Sequence, residues 1–464
     1  MNNSVEKYII IEIFEKLIRL KNFMNSNKDS IKESGMKISL NVFEEAFEKA
    51  LIQLELPILL VSKEDISESE RISINRRLSN TLNLVREFHT LLKFIHSEWV
   101  RPETYTFSNR ILKNLPDELK KTRINVILID DYSFKENNLT NKFNEIFKRS
   151  KLSIDQSAIE YPTLFLPKIE MTNPLNWSIL AHEIGHINTI ETQKLIGESI
   201  IPPNTTVKNK EILLKWAEEI FCDIFAINIL GPAYFASFVS YSIVTGGLVG
   251  NNICSEIHPS NMMRIRFLYE YLERNGFKLE YTRDSGERID ICDYFYNLSE
   301  DVDKINRIDL KSPNDKRIEI PNLTYFLDEI REISRKFTSQ MKFQSNNQIN
   351  ELLKKLLLGI PIGSICEATK AEIEVKLQEK TKDSFERAKK LISHRSTTLW
   401  EILNTGWIYK VVHVIPTCSK LIFDAKHDSL YDKLNEVSGL FDLLDDRLLK
   451  SIESSEIHNL IETN

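Results

Sequence analysis

The chain has 464 residues, room for about three units at roughly 150 residues each. Hydrophobic residues make up 42% and charged residues 28%, with only 13 Gly and 14 Pro, an ordinary globular composition that favours helices over a turn-rich β-protein. A net charge of −6 with no basic stripe argues against nucleic acid as a partner, and the scattered Cys222, Cys254, Cys292, Cys366 and Cys418, with no CxxC pair, read as reduced thiols of a cytoplasmic protein.

The N-terminal stretch Val5–Met24 has apolar residues interrupted by Glu6, Lys7, Glu12, Glu15 and Lys16, the pattern of an amphipathic helix and not of a secretory signal. Leu40–Leu54 and Ile72–Phe94 repeat that spacing. Ile124–Ile129 is a β-rich run that ends at Asp130-Asp131, so it predicts a strand and a turn. Thr163–Ile169 predicts a second strand, and Pro167 suits an edge. Asn173-Pro174 predicts a capped helix start, with the helix running to about Ile190. A polar loop around Ile201–Lys208 leads to a helix over Glu211–Leu230, stopped by Gly231-Pro232. The apolar stretch Ile220–Val249 is broken by Asp223, Asn228 and Gly231-Pro232, so it predicts buried protein and no membrane span. Another helix covers about Ser260–Asn275. Further on, Leu323–Phe343, Gln348–Leu358, Ala371–Leu391, Thr397–Val411 and Leu430–Ile457 predict helices. The expected fold is α+β, mainly α. A helical region spans 1–120, a core with a short sheet spans 121–276, and a second helical region spans 277–464.

The chemistry lies in the middle region. His182-Glu183-Ile184-Gly185-His186 is HExxH on a predicted helix, where residues four apart share a face, so both imidazoles can reach one ion. Zinc accepts imidazole nitrogen and carboxylate oxygen, and Glu183 beside the first histidine is placed to take a proton from water. Trp177, Ile179, Leu180, Ala181, Ile184 and Ile187 mark the helix as buried, and two histidines and a glutamate inside a core need a reason. Gly185 in a helix interior costs about 1 kcal/mol relative to Ala, which close approach by another helix would explain. Glu219 and Asp223 form ExxxD on the next helix. Glu219 can complete a His₂Glu site with an open fourth position, and Asp223 can accept from the far nitrogen of a ligand histidine. Glu218 is the alternative ligand, about 100° round the helix and without an acid four residues on. Cys222 reads as a small core residue, and the remaining histidines have no partner spacing.

His258-Pro259-Ser260-Asn261-Met262-Met263-Arg264 follows. HExxH, then ExxxD, then HPxxxxR, in this order, resembles the gluzincin peptidases, and within them the family of CAAX prenyl protease 1 and the HtpX-like proteases. The resemblance covers about Leu164 to Leu272. It implies a zincin-like core in which His182, His186 and Glu219 bind Zn²⁺ and Glu183 is the catalytic acid/base. It also implies that Asp223 orients a ligand histidine from behind, and that His258 and Arg264 face the substrate and stabilise the oxyanion. The chain departs from the family in lacking flanking transmembrane helices and in carrying large helical arms.

The expected activity is therefore zinc-dependent hydrolysis of a protein or peptide substrate. The alternatives are a zinc hydrolase of a non-peptide amide, and a metal-stabilised scaffold that binds a partner; Glu183 speaks against the scaffold, which needs ligands but no general base. Thr163, Leu164, Phe165 and Leu166 are expected to pair with an extended substrate at the sheet edge. The helical arms, with apolar stripes and charged faces, are expected to control access, moved by a regulatory protein or by a segment of the substrate; the alternative is that they complete the hydrophobic core and do nothing else.

Overall fold

Apolar residues recur at three- and four-residue intervals through most of the chain, and its structure, a computed structural model, is accordingly mostly helical. It describes residues 4–26, 51–52, 54–62, 66–91, 107–108, 125–129, 133–135, 163–167, 170, 173–186, 200–244, 248, 255–283, 285–309, 322–334, 352–356, 367–379, 381–391, 398–423 and 430–463. The expected helix Leu40–Leu54 and the turn at Asp130-Asp131 lie largely outside these.

Helix α1 (Ser4–Ser26) and α2 (Glu68–Leu91) lead to a three-stranded sheet of β1 (Asn125–Ile129), β2 (Ser133–Lys135) and β3 (Thr163–Pro167). β3 inserts between the other two, parallel to β1 and antiparallel to β2. This corrects the expectation that Thr163, Leu164, Phe165 and Leu166 form an edge. Thr163, Leu164 and Phe165 pair with Lys135, Phe134 and Ser133 on one side and with β1 on the other, so their hydrogen-bonding groups are taken. Leu166 and Pro167 lie beyond the three-residue β2, which is how a residue with no N–H fits into a central strand.

After the sheet come α3 (Ile179–Gly185), α4 (Val207–Leu230), α5 (Pro232–Val244) and α6 (Asn261–Arg274). Helix α3 lies against β2, β3 and α4. It does not begin at an Asn173 cap. Asn176–Ser178 form a 3₁₀ turn before it, and the Asn173 amide instead donates to Glu170 at 2.9 Å. Thr206 caps α4 and Ser260 caps α6, each hydroxyl accepting the backbone N–H three residues on. Gly231, at φ 59°, ends α4 and turns the chain back into α5. A hairpin, β4 (Glu280–Thr282) and β5 (Arg288–Asp290), was not anticipated; Gly286, at φ 83°, serves its turn.

The C-terminal part comprises α7 (Ile291–Asp309), α8 (Leu323–Ser334), α9 (Glu367–Gln378), α10 (Lys382–Leu391), α11 (Leu399–Tyr409), a π-helical segment (Lys410–Val414), α12 (Ile415–Phe423) and α13 (Leu430–Thr463). The single helix expected over Ala371–Leu391 is two, because the Thr381 hydroxyl accepts from Ser384 N at 3.1 Å and starts a new helix there. One buried cluster joins residues of every region: Ile10 and Phe14 from α1, Leu180 and Ile184 from α3, Trp407 from α11 and Leu448 from α13. Gly406 allows α11 to approach Leu175 just before the α3 turn, since a Cβ there would sit 2.8 Å from Leu175 Cδ2.

Buried charges tie the same parts together. Lys410 bonds Glu12 at 2.7 Å and Glu15 at 2.9 Å, Arg19 bonds Glu15 and Asp445, and Lys16 bonds Glu170. Glu170 also accepts from Asn173 and Asn176, and its carbonyl accepts from Trp177 Nε1, so α1 is connected to the chain entering α3. Cys222, Cys292 and Cys418 are buried free thiols. Among the described residues no helix is long and apolar enough to cross a membrane.

Candidate metal centre

Helix α3 carries His182 and Glu183, and His186 caps its C-terminal end. Helix α4 crosses it closely at Gly185. A Cβ on Gly185 would lie 3.0 Å from the Cys222 Cα and 3.1 Å from its Cβ, so the glycine is what admits α4. The approach brings Glu219, three residues before Cys222, to both imidazoles. Its Oε2 is 3.2 Å from His182 Nε2 and its Oε1 is 3.6 Å from His186 Nε2.

Both histidines therefore turn Nε2 towards Glu219, and both have Nδ1 on another carboxylate. His182 Nδ1 is 2.8 Å from Asp223 Oδ1, and His186 Nδ1 is 3.2 Å from Glu218 Oε1. Glu218, weighed above as an alternative ligand, is thus a partner of the far nitrogen of His186. Each carboxylate favours the tautomer with its proton on Nδ1 and the Nε2 lone pair facing inward.

One ligand atom from each of His182, His186 and Glu219 lies within 4.8 Å of the others, so the group can hold a metal ion. The fit is good on two counts. Donors about 2.0–2.1 Å from a tetrahedral zinc ion stand about 3.3–3.4 Å apart, and each imidazole Nε2 has a Glu219 oxygen near that distance, Oε2 at 3.2 Å for His182 and Oε1 at 3.6 Å for His186. Four carboxylates (Glu183, Glu218, Glu219 and Asp223) also gather around two imidazoles and one guanidinium, an acid-rich setting that suits a divalent cation.

The protonation equilibria follow from that setting. Burial pulls the His182 imidazole down, but Asp223 and Glu219 outweigh it and push the pKa up to about 10. Burial raises Glu219, but His182 and Arg264 hold it down at about 2. Burial, aided by Glu219, raises Glu183 from its ordinary value, against the lowering pull of His182 and His186.

Arg264 reaches this centre from α6 but lies behind it. Its Nε is 2.8 Å from Asp223 Oδ2 and its Nη2 is 2.6 Å from Oδ1, a two-pronged pair, while Nη1 is 3.7 Å from Glu219. The guanidinium is buried over the Phe238 ring at 4.4 Å. It was expected to face the substrate; it is buried, with Nε and Nη2 on Asp223 and Nη1 towards Glu219.

His258 is on the open side, with its side chain 55% exposed and Nε2 3.5 Å from Glu219 Oε1. The turn that presents it is held by Ser255, whose Oγ accepts from His258 N at 2.7 Å and whose carbonyl accepts from Trp216 Nε1 at 3.0 Å. The strand that carries Thr163–Leu166 packs against α3, and none of its residues belongs to the group that can hold an ion.

Comparison of the chain with protein-family models, with curated proteins and with solved structures finds no match. What the site can do therefore rests on its own geometry.

Proposed function

We propose that the chain is a zinc-dependent peptidase of the gluzincin kind, with a zincin-like core and with Zn²⁺ held by His182, His186 and Glu219. The observation that carries this reading is the pair of histidines aimed by Nε2 at one carboxylate, each with its Nδ1 on a second carboxylate. Such aiming suits metal ligation, and a structural role would not require it twice. The ion, when bound, supplies a Lewis acid that acidifies water and polarises a carbonyl.

Glu183 then has the role of general base. Its raised pKa brings it nearer the range in which a carboxyl can accept a proton from water and return it to the leaving amine. His258, exposed beside Glu219, is the group placed to donate to a developing oxyanion. Arg264 keeps Asp223 ionised and in place, and so supports His182 without touching substrate. With β3 enclosed, an extended peptide would add to the sheet at β2, whose outer edge pairs with no other strand among the described residues and which lies against α3.

The test is Glu183→Gln. It should retain zinc and fold but lose hydrolysis by ~10²–10⁴-fold or more. Comparing protein termini in cells that express wild type or the variant would name the substrate. Termini that depend on zinc binding but not on Glu183 would refute the mechanism. No cleavage by either form, with zinc bound, would favour the scaffold, and turnover only of small non-peptide amides would favour the other hydrolase.

A further inference from the structure

Asp223 is fully buried and accepts from three side chains on three different helices: His182 of α3, Arg264 of α6 and Tyr234 of α5. Tyr234 belongs to none of the motifs above. Its ring is fully buried, and its hydroxyl donates to Asp223 Oδ1, the same oxygen that receives His182 Nδ1.

The chain delivers this tyrosine by a local device. Gly231 takes a positive φ that ends α4, Pro232 opens α5, and the reversed helix returns Tyr234 to a carboxylate eleven residues back. One turn further along α5, Phe238 stacks on the Tyr234 ring with centroids 6.0 Å apart and planes 12° apart, and it carries the Arg264 guanidinium on its face. Helix α5 therefore supplies both a donor to Asp223 and the platform under the other donor.

We infer that Tyr234 is a positioning residue of the metal centre. Its hydroxyl, set by the Gly231–Pro232 corner, fixes the Asp223 carboxylate that aims His182. Arg264 alone pins both oxygens in one plane, but it sits at the end of a flexible side chain. The tyrosine comes from a rigid ring and adds a direction from a third helix, which limits rotation of the carboxylate about its own axis. Without it Asp223 keeps its charge but holds His182 over a wider range of angles, and the imidazole must be ordered when the ion binds. Groups that orient a ligand histidine in this way typically change metal affinity by ~10–100-fold.

The inference rests on the metal-site reading above, and its test separates the two. Zinc affinity is measured by chelator competition on the full chain for wild type, Tyr234→Phe and Tyr8→Phe. The last removes another fully buried hydroxyl, one that donates to Ser240 at 3.1 Å, away from the metal centre. Tyr234→Phe should weaken zinc about tenfold and shift the visible bands of the Co²⁺-loaded protein, with Tyr8→Phe unchanged in both. Because Tyr234 acts through Asp223, adding Tyr234→Phe to Asp223→Asn should cost no further affinity. Three results would overturn the role of Tyr234: wild-type affinity and spectrum in Tyr234→Phe, an equal loss in Tyr8→Phe, or additive losses in the double variant. If wild type takes up neither Zn²⁺ nor Co²⁺, the metal-site reading itself falls and takes this one with it.

Discussion

Replacing Gly185 with alanine places a methyl group 3.0 Å from the Cys222 Cα, 3.1 Å from its Cβ and 3.3 Å from its Sγ. Comfortable carbon–carbon contacts are ~3.5–4.0 Å, so α3 and α4 must part by about 0.5–1 Å. The nearest atom is backbone of a buried helix and cannot swing aside. Overpacking of this kind costs ~1–3 kcal/mol, while alanine returns about 1 kcal/mol of helix propensity. The metal-free protein should therefore lose only ~0–2 kcal/mol on that balance. The metal centre should lose more. Glu219 sits on the helix that is pushed away, and ligand distances tolerate only about ±0.2 Å. Zinc affinity should fall at least tenfold, ~1.4 kcal/mol. The assay pairs thermal unfolding of the metal-free protein with chelator competition for zinc. Gly439→Ala is the control, because nothing lies within 4 Å of a Cβ there; it should stabilise by up to ~1 kcal/mol and leave zinc untouched. Undiminished zinc affinity in Gly185→Ala would refute the role assigned to this close approach.

Glu219→Ala should abolish metal uptake, whereas Glu218→Ala should retain it with ~10–100-fold lower affinity through loss of the acid on His186 Nδ1; the reverse order in metal analysis would make Glu218 the ligand. Lys410→Met leaves Glu12 without its buried cation and Glu15 with Arg19 alone, and should cost ~3–5 kcal/mol in urea unfolding; a loss under ~1 kcal/mol would mean that Lys410 contributes no more than a surface ion pair does. Burial raises the Glu15 carboxyl, but Lys410 and Arg19 together hold it down, from 4.5 to about 2, and Lys16 likewise lowers Glu170. A carboxyl with a depressed folded pKa contributes stability that is present above the unfolded value and lost as pH falls through the folded one. The melting temperature should therefore drop steeply between about pH 4.5 and pH 2, and less steeply in Lys410→Met. A flat acid limb in wild type would count against these ion pairs.

Local spacing made much of the site legible. Residues four apart on a helix share a face whatever the rest of the fold does, so His182 with His186 and Glu219 with Asp223 could be paired from the sequence. The buried neighbours of HEIGH and the glycine within it pointed to a second helix crossing there, and Cys222 lies against Gly185. Gly231-Pro232 marked the end of α4, because that signal acts through backbone groups close in the chain.

What depends on contacts distant in sequence was settled only by the tertiary structure. An isolated strand carries no information on which of its edges are paired, so β3 read as an edge and proved to be central. Asn173 read as a cap, but Glu170, held by Lys16 from far upstream, takes its amide. Arg264 read as a substrate group because motif order says nothing about where a long side chain points; Asp223 and Phe238 turn it inward. Tyr234 and Glu218 gained their parts for the same reason. Helix periodicity tells which residues share a face, but which carboxylate meets which imidazole nitrogen is decided where α3, α4, α5 and α6 meet.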